Sequence, residues 1–219
     1  MAVLMSEGFN SLSNGTALTT SNTAFTTVFG AVTPTASTVA SHSSPASMRC
    51  SVAAQSVAGE YAFTLGSLIF LRTYIYFPSS MPSANFYIFN LLSNTTVRAN
   101  ARTNATNNLA MRNGTTAVWN SSTVLAPNTW YRLEWKIDAT NSLQQMRVYA
   151  GANLDSSTPT EDSGAQTYNQ GTFDRLQVGV PASSTGTVHY DDIVVDDLNW
   201  PGPLVVPWGQ YRRDIVVGG

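Results

Sequence analysis

The sequence predicts an all-β sandwich of the jelly-roll type, and three observations carry that expectation. Short runs of alternating, β-branched or aromatic residues recur along the chain, each closed by a Gly, Pro, Asn or Ser turn signal. No window carries the apolar stripe of an amphipathic helix, and no segment repeats. Of the 219 residues, 43% are hydrophobic and 11% aromatic, enough to fill the core of a single all-β domain.

Taken in order, residues 6–11 and 24–29 read as two short strands separated by the Asn14-Gly15 turn. Residues 30–46 are rich in Ser, Thr, Pro and Ala and read as a long surface loop. In 47–54, Met48, Cys50 and Val52 alternate with Arg49, Ser51 and Ala53, a half-buried strand that places Cys50 in the core as a structural thiol. Strands at 59–64 and 67–77 form the most apolar region. SLIFLRTYIYF is so long that it must bend or be buried on both faces. PSSMP at 78–82 breaks it, and strands at 85–92, 95–102, 107–112 and 115–119 follow, the last two joined by the Asn113-Gly114 hairpin signal. WYRLEWKID (130–138) sorts Tyr131, Leu133, Trp135 and Ile137 onto one face. Trp130, Arg132, Glu134, Lys136 and Asp138 fall on the other, where Glu134, Lys136 and Asp138 read as an exposed charged ladder. A strand at 144–150 is followed by a loop over 151–171. The last two strands are 172–180 and 186–197, where Ile193, Val194 and Val195 lie between the pairs Asp191-Asp192 and Asp196-Asp197. Trp200-Pro201-Gly202-Pro203 ends regular structure. The domain therefore spans 1–203 and leaves a C-terminal extended arm, 204–219.

Only 11% of the residues are charged, against about 25% in an average domain. The net charge is −2 and Lys136 is the single lysine, which argues against a nucleic-acid partner. Cys50 is the only cysteine, so neither an internal disulfide nor a cysteine metal site is expected. MAVLMSEGFN lacks the basic and apolar regions of a signal peptide, and no apolar run reaches the roughly 20 residues of a membrane helix. A cytosolic origin is thus combined with a Ser/Thr/Asn-rich surface suited to the outside of a cell. A virion component, assembled in the host cytoplasm and released by lysis, reconciles the two.

The order of several pieces resembles the laminin-G-like, concanavalin A-like jelly roll found in actinobacterial and actinobacteriophage proteins. The pieces are HSSPASMRCSV (42–52), LRTYIYFPSSMP (71–82), NTWYRLEWKID (128–138), MRVYAG (146–151) and YDDIVVDDLNWPGP (190–203), and the domain they mark out extends over residues 6–203. Members of this type include phage tail and virion proteins and carbohydrate-binding domains. The resemblance implies a non-enzymatic virion structural protein, a minor tail or head-decoration protein. Its partners would be other virion proteins, further copies of itself in a homo-oligomer, and host-surface glycans.

Candidate chemistry is sparse. Glu134 and Asp138 share a strand face, but four residues of strand separate them by about 13 Å, and Lys136 stands between. Paired glycosidase carboxylates need roughly 5–9.5 Å, so no catalytic residues are expected. Asp191 and Asp192 invite calcium, a hard cation that takes carboxylate oxygens. Strand periodicity places them on opposite faces unless a bulge intervenes, and the alternative is that they bond turn amides. No other cofactor is indicated. Trp119, Trp130, Tyr87 and Tyr168 are candidate sugar-stacking platforms, with core packing as the alternative for each. In the tail, Trp208, Tyr211, Arg212, Arg213 and Ile215 form an apolar, basic arm. It either docks on a neighbouring subunit, as an added strand, or folds back over its own sandwich.

Overall fold

Period-two alternation requires each strand to have one dry face. The computed structural model describes residues 3–43, 45–83 and 85–204, where strands such as Leu143–Ala150 follow this rule, while others, such as Leu68–Tyr76, are covered on both faces. The strands are β1 (Val3–Glu7), β2 (Thr27–Gly30), β3 (Thr35–Ser37), β4 (Ser47–Gly66), β5 (Leu68–Tyr76), β6 (Tyr87–Ser93) and β7 (Thr96–Thr103). They continue as β8 (Asn108–Asn113), β9 (Thr116–Val124), β10 (Trp130–Asp138), β11 (Leu143–Ala150), β12 (Glu161–Asp162), β13 (Gln166–Thr167) and β14 (Phe173–Asp196). All pairings between them are antiparallel.

Two long strands, β4 and β14, pair with each other from Phe173↔Gly66 to Tyr190↔Met48 and run through both layers of the sandwich. The first half of β14 lies between β4 and β6, and the first layer continues outward through β7, β8 and β9. The second half pairs with β1 and β5, and the second layer continues through β10, β11 and β12. The inner faces meet in one core, where the rings of Phe89 on β6 and Trp135 on β10 stack with centroids 6.2 Å apart. Cys50 is fully buried in the same cluster, and burial pushes its thiol pKa up.

Several elements differ from the sequence reading. Residues 47–66 form one strand rather than two, and so do 173–196. The bend lies inside the paired strands, at register shifts between Val180 and Thr185, so no turn is needed to change layers. Gly179 (φ +133°) sits beside this bend and lets the backbone of β14 approach that of β4 closely. β3 lies within the expected 30–46 loop, held by Thr35↔Arg49, and β12 and β13 lie within the expected 151–171 loop. β5 is buried on both faces, which resolves the long apolar run.

The expected exposed ladder of β10 is a correction. Arg132 and Glu134 are 0% and 1% exposed, because two segments fold over this outer face. Arg132 donates to the carbonyls of Leu154 (2.8 Å) and Ser156, and Arg72 donates to that of Gly202 (3.0 Å). Trp200 packs edge-on against Phe70, with the Arg147 guanidinium 4.0 Å from its ring centroid. Residues 200–204 thus lie back on the sandwich. The expected arm residues Trp208, Tyr211, Arg212, Arg213 and Ile215 lie outside the described residues.

A Cβ on Gly179 would stand 2.6 Å from the Val57 carbonyl oxygen and 2.8 Å from Ala58 Cα. Gly179→Ala should therefore cost at least about 2 kcal/mol in strain and displaced backbone, lowering the melting temperature by roughly 4–8 °C in a thermal melt followed by circular dichroism.

Candidate functional site

The outer face of the first layer carries a polar row that crosses five strands. Register places Gln177 of β14 opposite both Glu60 of β4 and Asn90 of β6. Asn90 lies opposite Asn100 of β7, which lies opposite Arg112 of β8. Tyr87 and Arg102 form the next cross-strand pair. Alternation explains why these residues face outward: their neighbours Phe89, Leu91, Ala99, Ala101, Met111, Leu176 and Val178 all belong to the core. Leu92 and Val97 flank the row, and Thr95, Gly114 and Thr115 line the groove with it. The groove encloses about 510 Å³.

Its hydrogen bonds leave a pattern of spare acceptors and donors. Gln177 donates to Glu60 Oε2 (2.9 Å), and Asn90 Nδ2 donates to Gln177 Oε1 (3.4 Å). Asn100 Nδ2 donates to the Gly114 carbonyl (3.1 Å). The Oδ1 atoms of Asn90 and Asn100 have no partner, although these residues are only 5% and 4% exposed. Buried amide oxygens are normally satisfied. The Arg102 guanidinium lies 5.6 Å from the Tyr87 ring centroid and donates weakly to its hydroxyl at 3.5 Å. Burial, and then the positive charge of Arg102, hold the Arg112 guanidinium below its ordinary pKa. The residues lining the groove therefore bring together cationic donors, a phenol and, buried within them, two carbonyl acceptors without a donor.

A second cluster sits on the outer face of the other layer. A bulge between Asp191 and Val194, with Asp192 at φ 49°, breaks the alternation and brings both aspartates to the 42–43 turn. Asp191 Oδ2 accepts the amides of His42 (2.8 Å) and Ser43 (3.3 Å), and its Oδ1 accepts the amide of Asp192 (2.9 Å). Asp192 accepts the Ser43 hydroxyl (2.6 Å) and meets His42 Nδ1 at 3.0 Å. The His42 ring stacks on Tyr74 at 3.6 Å, and its Nε2 lies 3.3 Å from Asp155. Calcium needs six to eight oxygens turned toward one point. Here the carboxylate oxygens are turned toward protein donors. Among the described residues, no three His, Cys, Asp or Glu side chains are arranged to hold a metal ion. Asp191 and Asp192 thus do not fit the calcium expectation, and they tie the 42–43 turn to the last strand.

The other sequence candidates are distributed as follows. Tyr168 is fully buried, packs edge-on against Phe173 and donates to the Gly171 carbonyl, so it cannot stack on a sugar. Trp119 is half-buried, packs against the core and lies opposite Met111, outside the groove. Trp130 is half-buried on the outer face of the second layer, against Tyr76 (5.2 Å) and His42 (5.9 Å), away from the groove. Tyr87 alone among the four lies in the groove. Glu134 is enclosed by Arg132 (3.3 Å) and the Tyr149 hydroxyl (3.1 Å), while Asp138 caps the turn at Asn141. The groove's Asn90, Asn100, Arg102, Arg112 and Gln177 were not singled out from sequence. The available signal was the alternation of small core residues with large polar ones in TVRANART.

No protein-family model matches the chain, and no curated protein matches it. Solved structures do. The PL-14 alginate lyase of Aplysia kurodai is 9% identical with a TM-score of 0.56, over 90% of this chain and 100% of that one. Domain 4 of AbnA, a GH43 extracellular arabinanase from Geobacillus stearothermophilus, in complex with arabinotriose, is 10% identical with a TM-score of 0.56, over 92% and 93%. Trypanosoma rangeli sialidase is 8% identical with a TM-score of 0.53, over 90% of this chain and 31% of that one. The chain has the concanavalin A-like jelly-roll fold, an all-β sandwich of curved antiparallel sheets.

His189 and Asp191, both buried on β14, give stability a pH-dependence with a definite sign. His189 is lowered from 6.5 to about 4, first by burial and then by Arg49. The unfolded chain therefore binds the extra proton, and this group adds stability as pH rises from 4 to 6.5. Asp191 is raised from 3.8 to about 8, first by burial and then by the charge of Asp192. Here the folded state holds the extra proton, so the contribution is full below 3.8 and is lost as pH rises through 8. Above 6.5 only Asp191 of this pair still titrates. Melting temperature should fall between pH 6.5 and 8 in scanning calorimetry, and Asp191→Asn, which keeps the acceptor for the turn amides, should flatten that slope.

Proposed function

We propose that the protein is a non-enzymatic recognition domain that binds glycans in the groove of Tyr87, Asn90, Asn100, Arg102, Arg112 and Gln177. The observation that carries this is the pair of buried, unpartnered carbonyl oxygens of Asn90 and Asn100. Their amide nitrogens are anchored, and their oxygens, buried within residues that line the groove, are acceptors without a donor. Sugar hydroxyls supply donors of the kind these acceptors lack once a small side-chain shift exposes them, and the Tyr87 ring adds an apolar face. The arabinotriose bound by the arabinanase domain of like fold is in keeping with this reading.

We further propose that the domain is displayed on a bacteriophage particle, as a minor tail or head-decoration protein directed at host-envelope glycans. The ordered sequence pieces over 6–203 favour this setting, as does the weakly charged, Ser/Thr/Asn-rich surface.

On an array of bacterial envelope glycans the protein should bind a subset without releasing product. Asn100→Ala should weaken that binding about three- to tenfold, the worth of one hydrogen bond, while the protein remains folded by circular dichroism. Binding that is unchanged in Asn100→Ala, or turnover of the bound glycan, would overturn the reading. For the particle setting, the expected observation is a capsid, portal or tape-measure gene beside this one. A neighbourhood of metabolic genes alone would remove it.

A further inference from the structure

Two arginines in the groove stand together without an acid. Arg112 lies directly across from Asn100, and Arg102 lies two residues along the same strand from Asn100. Among the described residues, the ion pairs of basic side chains engage His42, Arg132, Lys136, Arg147 and Arg175. Neither Arg102 nor Arg112 is among them. The one acid of the polar row, Glu60, sits at its far end and is already held by Arg175 (3.5 Å) and Gln177 (2.9 Å).

Keeping like charges side by side, partly buried, costs free energy that a bound anion recovers. Guanidinium groups suit that role because their fixed fork of donors matches a carboxylate or a phosphate. The unfilled oxygens of Asn90 and Asn100 add a second requirement. Both residues line the same groove, and a small side-chain shift would bring these oxygens to its surface beside the anion. There they are matched by a ligand that carries hydroxyl donors next to its charge.

We propose that this groove selects acidic glycans: sugar or polyol chains bearing carboxylate or phosphate groups. Arg102 and Arg112 hold the anion, and the carbonyls of Asn90 and Asn100 accept from adjacent hydroxyls. This rests on the reading of the groove as a glycan site and names its ligand class. It also explains how a chain of net charge −2 with a single lysine can bind a polyanion. Selectivity needs a local pair of unneutralised cations, which the overall charge balance hides.

The test is titration of the full chain against three size-matched polymers, a polyuronate, a polyol phosphate and a neutral glucan, with Arg112→Gln and Arg102→Gln as variants. At least one charged polymer should bind about tenfold or more tighter than the glucan, and each variant should lose about tenfold for it, as expected for a charged hydrogen bond. Raising salt from about 20 to about 200 mM should weaken the wild type more than Arg112→Gln. The two charged arms decide between carboxylate and phosphate. Arg112→Gln relieves a like-charge contact, so its melting temperature should equal or exceed that of the wild type. Should either variant fail to fold, the other carries the test. Binding of the glucan at equal strength, unchanged in both variants, would overturn the acidic-glycan assignment and leave the glycan reading standing. Binding of no glycan, here or on the array, would overturn both.

Discussion

The antiparallel ladder between β4 and β14 is the constraint on which the rest of the molecule depends. These strands are separated by more than a hundred residues of chain, yet they pair along most of their length and pass together from one layer to the other. Each layer is completed by strands that attach to one end of this pair: β2 and β6 at one end, β1, β3 and β5 at the other. The bend between layers is made by bulges and by a glycine that allows two backbones to approach, so the ladder never breaks. Pairing of such distant segments is an entropic cost that the buried core must offset, and the cluster around Phe89 and Trp135 closes between the layers where it can do so.

The groove is a consequence of that ladder. Gln177 is fixed on β14 by its pairing with Glu60, and Asn90 is fixed by its pairing with Gln177. Asn100 and Arg112 follow because the hairpins between β6, β7 and β8 are tight, and tight hairpins set register. A one-residue slip in any of these strands would turn its polar residue into the core. The same dry residues that hold the sheet together thus also aim the polar row outward.

The second layer shows the opposite use of an outer face. Arg132 and Arg72 are covered by the 154–156 turn and the 200–204 segment, and they bond to backbone carbonyls of those covers. Arg132 lies 3.6 Å from the Tyr149 ring centroid and beside Glu134, so the buried charges compensate one another. The 42–43 turn is fastened by Asp191 and Asp192. One outer face of the sandwich is closed by its own chain, and the other remains open to a ligand.

By itself the sequence determined the fold class, the extent of β10, the Asn113-Gly114 hairpin and the core position of Cys50. All of these are local signals: alternation and turn chemistry. It placed Tyr87 among the candidates, because an aromatic beside asparagines is visible without pairing. Only the tertiary structure decided that Asn90, Asn100, Arg112 and Gln177 form one row, that the ladder of β10 is buried, and that a bulge turns Asp191 and Asp192 to the same turn. The reason is that a strand's period tells which side a residue faces, while register, bulges and covering segments decide what it meets there.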